Sequence, residues 1–237
     1  MLFRSQVIDL GPYLRGGGRL FPPVAPVTQP RSKTKDTILR TAQALFNNEG
    51  EHAVSSVDIA SVIGISPGNL YYHYKGKEPI IRELFADFDT ELRQVLGAPI
   101  REPLELQDNW VFLYIIFEEI WDFRFFYRNQ AEILQRIPEL SGPFSRLLAL
   151  KEQTAFSLLS DLEEPGYLSF GEGDKAALSA RLSQHFTFWL QYHELREGSV
   201  PTKALIDRGV YQSLAMIAPY WARGEGFAEL LRDAEPG

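Results

Sequence analysis

The chain has 237 residues, of which 45% are apolar and none is cysteine, and it carries a net charge of −7. That length suits one small module plus a larger domain with a real core, and the missing cysteine excludes a thiol nucleophile, disulfides and cysteine-ligated metals. The longest apolar run, residues 110–117, falls far short of the roughly 20 residues that span a bilayer. With no charged-then-apolar leader in view and no need for an oxidising compartment, a cytoplasmic protein without membrane spans is expected.

Charge is unevenly spread. Up to Lys77, nine Lys and Arg oppose five Asp and Glu, whereas beyond it fifteen oppose twenty-six. A basic excess in the first third suits contact with phosphates there. Residues 1–32 hold Gly16, Gly17 and Gly18 together with Pro22, Pro23, Pro26 and Pro30. Glycine and proline at that density break both regular periods, so a flexible arm is expected. Its arginines suit the minor groove; the plainer alternative is an unstructured leader.

Over residues 33–48, Ile38, Leu39, Ala42, Leu45 and Phe46 recur at helical spacing, with Lys33 and Lys35 at the entrance and Gly50 as the stop. Ser55 and Asp58 then form a capping-box pattern. Val57, Ile59, Ala60 and Ile63 supply an apolar face, and Gly64 suits the left-handed backbone that ends a helix. Ile65 plugs the turn, Ser66 is an N-cap, and Pro67 falls where its missing N–H costs nothing. The short helix that follows carries Gly68, Asn69, Tyr71, Tyr72 and His73, with Lys75 and Lys77 just beyond. This is the pattern of a helix-turn-helix whose second helix reads DNA.

After Gly76 a helix over 78–96 carries Ile80, Ile81, Leu84, Phe85, Phe88 and Leu92 in one stripe, and Pro79 is tolerated in its first turn. Gly97, Pro99 and Pro103 mark a break. The remainder shows no strand-like alternation and reads as helices over 107–127, 130–136, 142–163, 174–196 and 202–222, separated by glycine and proline breakers. An all-α chain is expected, with an arm (1–32), a helix-turn-helix domain (33–77), a connecting helix (78–96) and a helical effector-binding and dimerisation domain (97–237).

The run Pro67-Gly68-Asn69-Leu70-Tyr71-Tyr72-His73-Tyr74-Lys75-Gly76-Lys77-Glu78 resembles the recognition-helix signature of the TetR (AcrR-type) regulators. Residues 38–50 resemble that family's first helix, so the resemblance covers about residues 33–85. Within the family, residues 65–74 and the aromatic stretch after Trp110 look most like regulators found with polyhydroxyalkanoate storage genes. The resemblance implies a homodimer on a near-palindromic double-stranded DNA operator, mostly repressing, with the connecting helix passing a ligand signal to the DNA-binding head. It places Tyr71, His73 and Lys77 on the sugar-phosphate backbone and Gly68, Asn69 and Tyr72 at the groove, and Ser66 and Pro67 at the start of the recognition helix are expected to contact DNA as well. Lys33 and Lys35 are expected at phosphates, and Tyr74 as a packing anchor. An amide such as Asn69 suits the two-bond contact with adenine.

Residues 110–127 contain nine aromatics. A helix that is apolar nearly all round must be surrounded by other helices, and aromatic walls also favour ligand cavities. Trp110, Phe117 and Trp121 share a face and are grouped with Phe125 as one expected wall of an effector pocket. His185, Phe188, Trp189 and Tyr192 are the expected opposite wall. The family resemblance implies an apolar effector such as a fatty acid or acyl-CoA. Arg124 and Arg128 then suit an anionic headgroup or, more plainly, surface carboxylates.

His185 and His193 lack metal-site spacing, so neither metal nor cofactor is expected. Two stripes, Leu178, Leu182, Phe186 and Leu190, then Tyr211, Leu214, Ala215 and Ala218, are expected at a four-helix dimer interface or in the core of one chain. No phosphate loop, metal triad or nucleophile elbow is present, so no enzyme is expected. The alternative to an effector-controlled regulator is a DNA-binding protein whose second domain only dimerises or recruits a partner.

Overall fold

The computed structural model describes residues 32–97, 106–198 and 202–223, together with Phe227. Its long elements are α1 (Lys33–Glu49), α2 (Ser56–Ile63), α3 (Pro67–His73), α4 (Lys77–Leu96), α5 (Leu106–Asp122), α6 (Arg124–Arg136), α7 (Ser141–Glu163), α8 (Asp174–Glu197) and α9 (Thr202–Ile217). The sole extended pairing among the described residues is an isolated bridge between Leu168 and Trp221. The all-α expectation holds. The expected arm, apart from Ser32, lies outside the described residues, as do residues 98–105 of the expected break.

α1 starts where the Ser32 hydroxyl accepts the Lys35 N–H at 3.4 Å, and it buries Ile38, Leu39, Ala42 and Phe46 in the packing with α2 and α4. Those three helices and α3 form the small head. α4 then runs from the head into the larger bundle, burying Phe85 and Phe88. There Phe88 stacks on Phe123 with centroids 4.4 Å apart, and Phe85 meets Phe126 at 5.1 Å.

The aromatic stretch is not the single helix expected over 107–127. Helical geometry is lost at Phe123 (φ −108°, ψ 25°) and resumes in α6, which runs through to Arg136 with a kink at Asn129. The cause lies on α1. Gln43 Nε2 and Asn47 Nδ2 donate to the Asp122 carbonyl at 2.9 and 2.8 Å, and Asn47 Oδ1 accepts the Phe125 N–H at 3.0 Å. The backbone groups released by the break therefore have partners. The break is where the head docks on the body.

In the body, α7 lies along α8, α5 along α9, and α8 also packs on α9. Gly209 permits the α5–α9 approach, because a Cβ there would stand 2.6 Å from the Phe117 ring. α9 stops at Ile217 rather than near 222, since Pro219 lacks a backbone donor and the chain tightens into a 3-10 turn over Ala218–Tyr220. Leu178, Leu182, Phe186 and Leu190 are buried within the single chain. α8 is embraced by α5, α6, α7 and α9, so that stripe belongs to the chain's own core. Of the second stripe Leu214 is buried as well, whereas Ala215 is exposed and Tyr211 and Ala218 are half-buried.

Candidate nucleic-acid interface and ligand cavity

Local rules build the head's outward face. At the start of α2, Ser55 Oγ accepts the Asp58 N–H at 3.2 Å while Asp58 Oδ2 accepts the Ser55 N–H at 2.8 Å. The Ser55 hydroxyl, 2.6 Å from Oδ2, and that N–H hold the Asp58 carboxyl below its usual range. Gly64 closes α2 in the left-handed region (φ 71°, ψ 30°). Ser66 Oγ then accepts the Asn69 N–H at 3.1 Å, with Pro67 in the first turn of α3.

Leu70 and Tyr74 are 1% and 3% exposed and fix the inner side of this short helix. Its other residues face outward. Tyr71 is 60% and Tyr72 85% exposed; Ser66, Pro67, Gly68 and Asn69 are exposed too. His73 is half-buried, its ring edge-on to Tyr72 at 5.3 Å. One surface thus combines two phenols, an amide, an imidazole and a glycine that lets a backbone come close. Such groups suit phosphate oxygens and base edges. Lys33 is exposed at the start of α1, and Lys35 Nζ lies 5.3 Å over the Tyr74 ring.

Lys77 is directed elsewhere. Its Nζ donates to the Glu51 carbonyl oxygen at 2.6 Å and stands 2.9 Å from the Glu51 carboxylate. Glu51 is 1% exposed, and Arg136 of α6 shares its carboxylate at 2.7 Å. This buried acid escaped sequence reasoning because a glutamate after a helix-ending glycine carries no motif. Arg128 binds both carboxylate oxygens of Glu194, its Nε at 2.8 and 3.0 Å, and donates to the Asn47 carbonyl at 2.7 Å. Arg124 donates to Asn48 Oδ1 at 3.0 Å. Both arginines therefore fasten α6 to its neighbours.

Of the residues expected around an effector, Phe117, His185 and Trp189 come together. The Phe117 ring lies 4.8 Å from Trp189 and 5.8 Å from His185. His185 Nε2 is 3.2 Å from the Gly209 carbonyl, and burial pushes the imidazole below its ordinary pKa. Phe125 packs on Phe46 at 5.3 Å, Trp121 lies under the Arg124 guanidinium at 4.7 Å, and Phe188 and Tyr192 are exposed. The Trp110 side chain lies outside the described residues.

The cavity opens instead among α4, α5, α7, α8 and α9. Leu96, Phe112, Leu113, Ile116, Ala155, Leu158, Leu159, Leu162, Leu182, Phe186, Leu214, Ile217, Trp221 and Phe227 wall it, joined by Thr154 and Lys151. Its volume is about 50 Å³, and the unfilled space around it, which includes open solvent at the mouth, is about 650 Å³. Lys151 is the sole ionisable residue among its described walls, and its side chain is 1% exposed. Burial lowers the pKa of this ammonium to about 7. The signal was present in the sequence, because Lys151 falls at helical spacing in the buried row Phe144, Leu147, Ala155, Leu159 and Leu162 of α7.

Comparison with known proteins agrees with this geometry. A family profile described as bacterial regulatory proteins of the tetR family matches residues 38–84, and one described as a bacterial transcriptional repressor matches residues 87–226. The chain belongs to the TetR family of helix-turn-helix transcriptional regulators, a family of DNA-binding proteins rather than enzymes. A TetR-family regulator from Marinobacter aquaeolei shares the fold with a TM-score of 0.79 and 28% identity, over 86% of this chain and 100% of that one. The ketosteroid transcriptional regulator KstR2 of Mycobacterium tuberculosis has a TM-score of 0.60 at 22% identity, over 83% of this chain and 100% of its own. The transcriptional repressor KstR2 of Mycolicibacterium smegmatis is 40% identical over 61 residues, which are 26% of this chain and 29% of that protein. The similarity to that curated relative thus spans less than a third of its length.

Proposed function

We propose that this protein is an effector-controlled regulator that binds a near-palindromic operator as a homodimer and represses transcription in the bacterial cytoplasm. The observation that carries the reading is the outward face of α3, where Tyr71 and Tyr72 are 60% and 85% exposed on a helix whose inner side is fixed by Leu70 and Tyr74. In this reading Gly68, Asn69 and Tyr72 face the major groove with Ser66 and Pro67 at its edge. Lys33, Lys35, Tyr71 and His73 meet phosphates. Lys77 is left out of that set because Glu51 holds its ammonium.

Dimerisation uses the outer face of α8, where Phe188, Tyr192 and Leu195 are 52%, 55% and 89% exposed at helical spacing. A two-fold dimer would present two recognition helices about 34–36 Å apart, one helical turn of DNA. The effector occupies the apolar cavity. α4 supports a coupling between the two sites, since it begins just after α3 and its last residue, Leu96, lines the cavity. A cavity of about 50 Å³ takes little more than a few waters, so a larger occupant would part the walls and favour a different α4 position. Fatty acids or acyl-CoA thioesters are the effectors we propose, with polyhydroxyalkanoate or fatty-acid metabolism as the setting. KstR2 is described as a ketosteroid transcriptional regulator, and a ketosteroid is likewise a largely apolar molecule.

The test is titration of the full chain against its own upstream DNA, with and without medium-chain acids and their thioesters. Specific binding that weakens with an acyl compound supports the whole reading. Tight binding indifferent to every acyl compound removes the effector and leaves the DNA-binding role.

A further inference from the structure

Lys151 is an unusual wall for a cavity of this kind. Its ammonium sits inside the bundle with no carboxylate among the described residues to pair with it; its partners are the Tyr127 hydroxyl at 2.9 Å and Thr187 Oγ1 at 3.4 Å. Thr187 already gives its hydrogen to the Ser183 carbonyl at 2.8 Å, so it can only accept from the lysine. The Tyr127 oxygen accepts as well, and its own hydrogen reaches no acceptor among the described groups. An ammonium has three N–H donors, and these two hydroxyls take two. One lysine N–H therefore remains, fully buried, at a cavity whose other walls are apolar apart from Thr154 and the Trp221 indole; the Tyr127 phenol stands behind the lysine rather than in the wall. Thr154 is occupied with the Leu96 carbonyl at 3.3 Å.

A buried cation with hydrogen-bond capacity left over favours an anion that brings its own apolar body. We propose that Lys151, positioned by Tyr127, is the headgroup site of this cavity, and that the effector is an apolar monocarboxylate bound as the free acid rather than as a thioester. This rests on the effector reading given above and narrows it. A thioester has no carboxylate to offer Lys151. The phosphates of coenzyme A would need several cations, and Arg124 and Arg128 are held by Asn48, Asn47 and Glu194. Binding of a carboxylate requires the ammonium form. In the free protein burial lets that form go near neutral pH, so binding above that point takes up a proton.

Octanoate, 1-octanol and octanoyl-CoA, titrated into the full chain while tryptophan fluorescence and thermal shift are followed, test the proposal. Octanoate should bind the wild type at least about tenfold more tightly than 1-octanol, and its affinity should fall about tenfold from pH 7.5 to 8.5, where the acid itself stays ionised. Lys151→Met should abolish both the preference and the pH dependence, so that octanoate then binds no more tightly than 1-octanol. If the variant does not fold, the wild-type pH dependence decides alone. Equal binding of acid and alcohol, or octanoate binding untouched by pH, overturns Lys151 as the headgroup site yet keeps the cavity. Tight octanoyl-CoA with no octanoate binding overturns the free-acid assignment, and no binding of any of the three overturns the effector cavity itself.

Discussion

Lys77, the first residue of the helix that leaves the DNA-binding head, stands 2.9 Å from a carboxylate oxygen of Glu51, and Arg136 of the body stands 2.7 Å from the same carboxylate. Glu51 is 1% exposed, while its two partners keep partial contact with water. Removing the shared anion leaves two cations facing each other at a poorly solvated joint. Glu51→Gln should therefore cost roughly 3 kcal/mol, the lower end for breaking a buried pair because the cations can still find water. Lys77→Ala should lower stability while leaving the slope of log affinity against log salt unchanged. A clear drop in that slope would return Lys77 to the phosphate-contacting set.

Asn47 holds the break between α5 and α6 from a distance. Its amide donates to the Asp122 carbonyl at 2.8 Å and accepts from the Phe125 N–H at 3.0 Å. In Asn47→Leu the Asp122 carbonyl keeps Gln43, but the buried Phe125 N–H loses its partner. A cost of about 1–3 kcal/mol is expected, read as a lower urea midpoint with an unchanged m-value. The variant should also bind operator DNA with a blunted response to effector, because the same bonds join head to body.

On the recognition helix the exposed groups separate into two kinds. His73→Ala and Tyr71→Phe should weaken binding to all sequences alike; only His73→Ala should flatten the salt dependence, by about one unit of slope or less, because the Tyr71 hydroxyl is neutral and releases no counterion. Asn69→Ala should instead relax preference at one base pair, worth about 1–3 kcal/mol of discrimination. Competition assays on an operator library read both effects. Wild-type binding and preference in all three variants would remove α3 from the groove.

The sequence made the local features legible and the long-range ones not. Ser55, Asp58, Gly64, Ser66 and Pro67 act within a few residues of themselves, and the caps and turn they spell are those observed. The α5–α6 break, by contrast, depends on Gln43 and Asn47 reaching Asp122 and Phe125 across the fold. No window along the aromatic stretch contains that information. The expected pocket failed to match the cavity for a similar reason. Aromatic spacing identifies a buried face, but Phe125 is buried against α1 and Phe117 against α8, and which buried face keeps a space depends on how all the helices meet. Lys151 was visible as a break in an apolar row, yet its significance needed Tyr127 and Thr187 from two other helices.

The outer face of α8 gives a direct test of assembly. Phe188, Tyr192 and Leu195 are exposed in the single chain, so charges placed there should leave the fold intact. Phe188→Glu combined with Leu195→Lys should halve the mass measured by sedimentation, with a melting temperature within a few degrees of wild type, since surface changes are usually within about 0.5 kcal/mol. Operator affinity should fall steeply, because one head then binds alone. An unchanged mass would place the dimer contact elsewhere.

Lys151 ties stability to pH with a sign that can be worked out in advance. Burial lowers its pKa from 10.5 when exposed to about 7 in the folded chain. Below pH 7 both states are protonated, and the folded state bears the full cost of the buried charge. Between about pH 7 and 10.5 the unfolded chain binds the extra proton, so this residue makes stability rise with pH, by at most about 1.4 kcal/mol per unit. Lys151→Met removes the group altogether. It should therefore stabilise the protein most at pH 6, and its advantage over wild type should shrink steadily by pH 9. Thermal melts of both proteins at the two pH values check this. A difference independent of pH would mean that the lysine stays protonated, and so well paired or hydrated, in the folded chain throughout.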